Sequence, residues 1–198
     1  MRIHPLLTLA LLPLFASAAH SQVAVYSATL SGAAEAPPNA SLGTGTATIT
    51  FDLGASTMRV QASFAGLTGT TTNAHIHART ALPGIGTAGV ATTTPTFAGF
   101  PAGVTSGTYD NTLNMTLASS YNASFITANG GTPGSAFAAL ASAAADGRAY
   151  FNIHSSSFGA GEIRGFLVPI PEPATTAVAL GLAAMGCVTA FRRRRAAI

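Results

Sequence analysis

The interior of the chain alternates apolar and polar residues with a period of two. Ala47, Ile49 and Phe51 alternate with Thr46, Thr48 and Thr50, and Met58, Val60, Ala62 and Phe64 alternate with Arg59, Gln61 and Ser63. Successive side chains of an extended chain point to opposite faces, so each segment predicts a strand with one buried and one wet face. Ala28 and Leu30 against Thr29 and Ser31 predict another, as do Leu113, Met115 and Leu117 against Thr112, Asn114 and Thr116. One-sided strands of this kind pair antiparallel. Asp52-Leu53-Gly54-Ala55-Ser56 reads as the turn between the Thr46 and Met58 strands, and Gly66 and Gly69 punctuate the chain after Phe64.

Elsewhere the period changes. Residues 79–107 are rich in Gly, Pro and Thr and predict a long ordered loop or a pair of edge strands, with a short strand around Gly89 to Thr93. From Tyr121 to Ala145, Phe125, Ile126, Phe137 and Leu140 stand among many alanines, broken at Gly130-Gly131-Thr132-Pro133-Gly134, which predicts two short helices. Strand pattern returns at Arg148 to His154 and again at Glu162 to Val168. No repeat or linker divides residues 22–170. The expected fold is all-β: an antiparallel Greek-key sandwich, immunoglobulin-like or superoxide-dismutase-like, with two short helices near 121–145.

The two ends follow another pattern. Residues 1–21 carry Arg2, an apolar run from Leu6 to Ala16 and then small residues, the layout of a secretory signal peptide cleaved after Ala18 or Ser21. At the far end Pro171, Glu172 and Pro173 precede the uncharged stretch 174–191, followed by Arg192, Arg193, Arg194 and Arg195. Such a stretch reaches about 27 Å as a helix, enough to cross a hydrocarbon core. The arginines stay cytoplasmic by the positive-inside rule and leave residues 22–170 outside.

Composition fits this division. Only 8% of the residues are charged, against about 25% in an ordinary soluble domain. The formal net charge is +3, yet Arg2 and the four terminal arginines account for the excess. Within 22–170, Arg59, Arg79, Arg148 and Arg164 face Glu35, Asp52, Asp110, Asp146 and Glu162. A domain with a slight negative balance has no electrostatic warrant for binding nucleic acid. The only cysteine, Cys187, lies in the apolar tail, so the domain contains no disulfide.

Side-chain chemistry concentrates in two segments, Asn73-Ala74-His75-Ile76-His77-Ala78 and Gly147-Arg148-Ala149-Tyr150-Phe151-Asn152-Ile153-His154. On strands, His75 and His77 share one face, and Tyr150, Asn152 and His154 share another, in each case opposite the apolar residues. All three histidines are therefore expected to point away from the core. Glu162 and Arg164 share a strand face as well, and exposed charges so placed are expected to play a structural part, as an ion pair or as partners that orient a histidine. No Ser-His-Asp spacing, Gly-x-Ser-x-Gly elbow, phosphate loop or paired-carboxylate motif occurs.

Three resemblances follow from these residues. The Ala74-His75-Ile76-His77 strand, the Tyr150-Phe151-Asn152-Ile153-His154 strand and Gly161-Glu162-Ile163-Arg164-Gly165 resemble, in order, the marks of the CHRD domain. Ala28-Thr29-Leu30-Ser31-Gly32 with Glu35 and Pro37 resembles that family's first strand and loop, for a coverage of about residues 27–168. This resemblance implies an extracellular module with no settled biochemical role. The tail, with Pro171-Glu172-Pro173, the apolar span and Arg192 to Arg195, resembles the PEP-CTERM sorting signal of Gram-negative bacteria. It implies recognition by an exosortase in the inner membrane and delivery to the cell surface or an exopolysaccharide matrix, whereas hydropathy alone fits a permanent anchor equally well. Finally, the His-x-His strand and the later Gly-Arg…His strand look like those of copper/zinc superoxide dismutase. That likeness implies one Cu or Zn ion held by His75, His77 and His154, although neither a bridging histidine nor the dismutase's disulfide is present in 22–170.

Two functions are thus expected as alternatives: a non-enzymatic surface or matrix module, and a metal-binding or redox module using the three histidines.

Overall fold

The computed structural model describes residues 23–171. The expected signal peptide, the 174–191 span, Glu172, Pro173 and Arg192 to Arg195 lie outside the described residues. Among the described residues no helix is long and apolar enough to cross a membrane.

Eight strands and two helices follow one another: β1 (Val23–Ser31), β2 (Thr44–Asp52), β3 (Thr57–Ala65), β4 (Thr71–Ala78), β5 (Gly107–Asn114), α1 (Ala123–Ala128), α2 (Pro133–Ala145), β6 (Ala149–Ser155), β7 (Ile163–Phe166) and β8 (Val168–Pro169). The expected antiparallel β structure and both short helices are present. Strand order is β4-β6-β7-β1-β2-β3-β5, with β8 on β1. All pairings between named strands are antiparallel. The two sheets of a sandwich are thus replaced by one continuous curled sheet. The joint is the single pair Ser31↔Arg164 between β1 and β7. Alternation along a strand reports which face is buried but says nothing about the partner of its edge, so sequence pattern does not separate one sheet from two.

Inward positions match the alternation. Ile49, Phe51, Met58, Val60 and Leu30 are fully buried, while the Thr44, Thr46, Arg59 and Ser63 face is exposed. The fourth predicted strand is shifted. It runs from Gly107 to Asn114 and ends there because the Asn114 side chain accepts hydrogen bonds from the Thr116 amide and hydroxyl, turning the chain. Met115 still enters the core, whereas Leu117 is exposed.

Helix α2 begins at the predicted break. Thr132 caps it, exchanging hydrogen bonds with Ser135, and Pro133 occupies the first turn, where its missing N–H is harmless. Its Phe137 packs on Phe51 with ring centroids 6.0 Å apart.

The 79–107 segment is a loop with isolated bridges at His77↔Val90 and Thr92↔Tyr121, not a strand over Gly89 to Thr93. It is ordered for two reasons. Along the free edge of β4 it supplies partners for the backbone: Ala91 and Phe97 N–H donate to the Ile76 and Ala74 carbonyls, and the Thr92 and Thr96 hydroxyls accept from Ile76 and Ala74 N–H. An edge strand covered in this way has no unpaired groups to offer a second chain. The loop also inserts Phe97 and Phe100 into the core, where Phe97 stacks on Phe151 at 6.1 Å and Phe100 on Phe64 at 5.6 Å. Those contacts tie β3 to β6, at opposite parts of the sheet.

Candidate metal centre

Register places the polar faces of β4, β6 and β7 side by side. His75 pairs with Asn152 and His77 with Tyr150, while Asn152 pairs in turn with Arg164 and Tyr150 with Phe166. One ligand nitrogen from each of His75, His77 and His154 lies within 4.8 Å of the others. The expectation that the three histidines point away from the apolar core holds for direction but fails for exposure. His75, His77 and His154 are 4%, 9% and 8% exposed. The cover comes from the 79–107 loop and the 155–161 turn, neither of which has a hydrophobic period to announce it.

Those covering segments also fix the chemistry of the rings. Nδ1 of His75 lies 3.1 Å from the Pro95 carbonyl, Nδ1 of His77 2.8 Å from the Ala88 carbonyl, and Nδ1 of His154 2.9 Å from the Gly159 carbonyl. A carbonyl oxygen only accepts, so every Nδ1 carries the N–H and donates it. In a neutral imidazole the other nitrogen is then an acceptor with a bare lone pair. Nε2 of His75 and Nε2 of His154 face each other at 2.9 Å, and Nε2 of His77 is buried with no hydrogen-bond partner. The three rings thus hold Nε2 lone pairs without a protein donor, two of them face to face, in a group whose ligand nitrogens lie within 4.8 Å, an arrangement able to hold a cation.

A proton is a poor candidate. Burial, reinforced by the neighbouring His77 and His154, depresses the His75 pKa to about 3, although the Pro95 carbonyl works the other way. Burial also holds His77 down to about 4; the Ala88 carbonyl opposes it, while His154 and Arg164 reinforce it. His154 is lowered by burial against the pull of the Gly159 carbonyl. Around neutral pH the three rings are therefore uncharged donors. Three nitrogens sharing a metal at about 2.0 to 2.1 Å stand about 3.3 to 3.6 Å apart, so on binding the 2.9 Å pair opens and the widest separation, 4.8 Å, closes by more than about 1 Å.

Beside this cluster sits a second buried polar group, which sequence reasoning placed wrongly. Glu162 and Arg164 are not exposed strand charges, being 0% and 3% accessible, and each bonds to partners of its own. Arg164 donates from Nε to the Ala34 carbonyl at 2.5 Å and from Nη1 to the Gly86 carbonyl at 3.0 Å. Its guanidinium lies 4.6 Å above the Tyr150 ring, which stacks in turn on His77 at 4.7 Å. Glu162 accepts from Ser41 Oγ at 2.6 Å, from the Thr68 amide, and from the Gly69 amide at 3.2 Å. Burial works to raise its pKa, but hydrogen bonds from Ser155, Ser41, Thr68 and Gly69 together hold it below the ordinary carboxylate value. Each charge thus pins distant loops onto β7.

Both glycines of the Gly161-Glu162-Ile163-Arg164-Gly165 segment have a steric reason. At Gly161 φ is +133°, and a Cβ there would stand 2.7 Å from both the Glu35 Oε1 and the Asn152 amide nitrogen. At Gly165 a Cβ would collide with the Thr29 carbonyl, which keeps any larger residue out of the β7–β1 joint.

Glu35 is the residue that sequence reasoning left without a role. It reaches Arg164 Nε at 3.7 Å, but Oε1 is buried without a partner. Burial outweighs the guanidinium and the Ala36 N–H and pushes its carboxyl up to about 7. The folded chain therefore binds a proton between about 4.5, the ordinary value, and about 7 that the unfolded chain does not. The resulting stability is complete below the lower value and is lost as pH rises through the upper one. His75 and His77, held low, act in the opposite sense below about 6.5, so the readable quantity is a difference between variants. Relative to Glu35→Gln, the wild type is expected to lose on the order of 3 kcal/mol between pH 4.5 and 8, measured by urea unfolding. A constant difference across that range would contradict the assignment.

The described fold and site define a small all-β module with a buried three-imidazole centre. The CHRD domain family model matches residues 26–167, and the chain belongs to that family. No curated protein and no solved structure matches the chain.

Proposed function

We propose that the chain is an exported CHRD module of a Gram-negative bacterium, displayed at the cell surface or in the extracellular matrix, and that it acts by binding rather than by catalysis. The observation that carries this reading is a CHRD domain at residues 26–167 standing between a signal-peptide-like segment and a tail with Pro171-Glu172-Pro173 and Arg192 to Arg195. Family membership supports an extracellular-type domain. The tail supports an inner-membrane intermediate recognised by an exosortase and then passed outward.

An exopolysaccharide is the partner this surface suits. Thr46, Thr48, Gln61, Ser63, Thr108 and Asp110 line a shallow groove on the outer face of β2, β3 and β5. Hydroxyls, amides and the Arg59–Asp110 pair, joined at 2.6 Å, match the donors and acceptors of a neutral sugar polymer. Replacing Glu172 with Ala is expected to leave the protein in the inner-membrane fraction at its unprocessed mass. Processing and surface delivery unchanged in Glu172→Ala would contradict recognition of the tail.

A second reading is favoured by a specific observation, three buried histidines whose ligand nitrogens lie within 4.8 Å of one another: the module holds one Cu or Zn ion at His75, His77 and His154. The residues present fit such an ion, because all three ligand tautomers are fixed by backbone carbonyls and one Nε2 is buried without a partner. A bound metal would supply Lewis acidity or one-electron chemistry there. The chain's own residues hold the donors, exclude water and keep protons off Nε2.

A further inference from the structure

We propose that the centre formed by His75, His77 and His154 is selective for monovalent copper, binding Cu(I) in preference to Zn(II) and Cu(II). The inference rests on the reading of the three histidines as a metal centre and adds the charge and valence of its occupant.

The first argument is electrostatic. The donor set is three neutral imidazoles, with no carboxylate or thiolate in the group among the described residues. Neither buried carboxylate belongs to the group, although Glu35 keeps Oε1 without a partner. Glu162 is held by Ser41, Thr68 and Gly69, and Glu35 faces Arg164. The nearest strong field is positive, since the Arg164 guanidinium lies 4.6 Å over the Tyr150 ring, which stacks on His77 at 4.7 Å. An ion entering here gives up water and gains no counter-charge. Desolvation cost rises with the square of the charge, so a divalent ion pays about four times the penalty of a monovalent one. Two added charges beside a guanidinium are also repelled more strongly than one.

Coordination number gives the second argument. Zn(II) is almost always four-coordinate in proteins, and a site with three protein ligands completes the set with water or substrate. Here the three rings are buried, and the nearby loop carbonyls at Ala88, Pro95 and Gly159 are already taken by Nδ1. The neighbouring rings are aromatic, with Tyr150 stacked on His77 at 4.7 Å and the His75 ring 4.7 Å from it, and the polar neighbour is Asn152, whose buried Oδ1 is a neutral oxygen that adds no counter-charge. Cu(I) has a filled d shell and is content with three nitrogen donors, so it needs nothing the site lacks.

Cys187 requires a control, because a thiolate in the tail is itself a soft copper ligand. The test uses the full chain, purified without oxygen in the presence of ascorbate, which keeps added copper monovalent. Cu(I) affinity is read there by competition with bathocuproine disulfonate, a coloured Cu(I) chelator, and Zn(II) and Cu(II) affinities are read after removal of ascorbate by competition with metallochromic indicators. Wild type and Cys187→Ser are expected to bind one Cu(I) per chain, at least about 100-fold more tightly than either divalent ion. His75→Gln and His77→Gln, checked for native circular dichroism, are each expected to lose that uptake.

Zn(II) or Cu(II) binding as tightly as Cu(I), with dependence on the histidines, would overturn the selectivity while leaving the centre in place. Uptake lost in Cys187→Ser, or retained in both histidine variants, would overturn the site itself. So would the absence of binding by any of the three ions.

Discussion

His154→Ala is expected to reduce the copper bound by the purified chain from one ion to none. The other two donors share β4, whereas His154 comes from β6, and its Nε2 is the atom facing His75 Nε2 at 2.9 Å. Without it, His75 and His77 remain as two nitrogens with no third histidine, cysteine or carboxylate in the group among the described residues. Loss of an outer-shell partner of a metal ligand typically costs about 10–100-fold in affinity, so loss of a ligand itself is expected to exceed that. Elemental analysis after copper loading and desalting reads the result. Wild-type stoichiometry in His154→Ala would mean that the copper sits elsewhere. A second consequence separates the centre from an ordinary buried polar cluster. Bound metal is expected to raise the wild-type unfolding temperature and to leave that of His154→Ala unchanged, because an ion that binds only the folded state stabilises it by mass action.

Removing the guanidinium of Arg164 is the second large effect. Arg164→Ala strips hydrogen bonds from the Ala34 and Gly86 carbonyls and leaves Glu35 buried without its cation. Breaking a buried charge pair from one side typically costs about 3–5 kcal/mol, and a loss of that size is expected in urea unfolding. Part of the cost belongs to the stranded carboxylate, so Glu35→Gln combined with Arg164→Ala is expected to recover some of it above pH 7. A loss below about 1 kcal/mol would mean that Arg164 behaves as an exposed strand charge, the role its sequence position suggests.

That contrast shows what the sequence makes legible. The alternation around Ile49 and Val60 locates β2 and β3, and the break at Gly130 to Gly134 places the start of α2 at Pro133. His75, His77 and His154 are legible as one set because i, i+2 spacing on a strand fixes a common face. What covers them is not. The 79–107 loop has no period, and it closes over the histidines through backbone carbonyls at Ala88 and Pro95, which no side-chain pattern encodes. For the same reason Glu162 and Arg164 look solvated in the sequence, although loops from residues 34, 41, 68 and 86 reach them in the fold. Glu35 lies far along the chain from Arg164 and meets it only because β1 and β7 join at Ser31↔Arg164. That pairing also makes one sheet out of the two expected, and it depends on the close approach allowed at Gly165.

The chain belongs to the CHRD family, and cysteine is absent from residues 22–170. In place of disulfides the fold relies on buried rings and on charged clasps from β7 to distant loops. A metal at the three histidines would add a further clasp between β4 and β6, holding through Nδ1 the loops that cover them.

The most direct test is X-ray absorption at the copper edge of the full chain loaded with one equivalent of Cu(I). Three nitrogen scatterers at about 2.0 Å, with the outer-shell signature of imidazole rings, are expected. Sulfur in the first shell would place the metal at Cys187 or a methionine and contradict the account, as would fewer than three imidazoles.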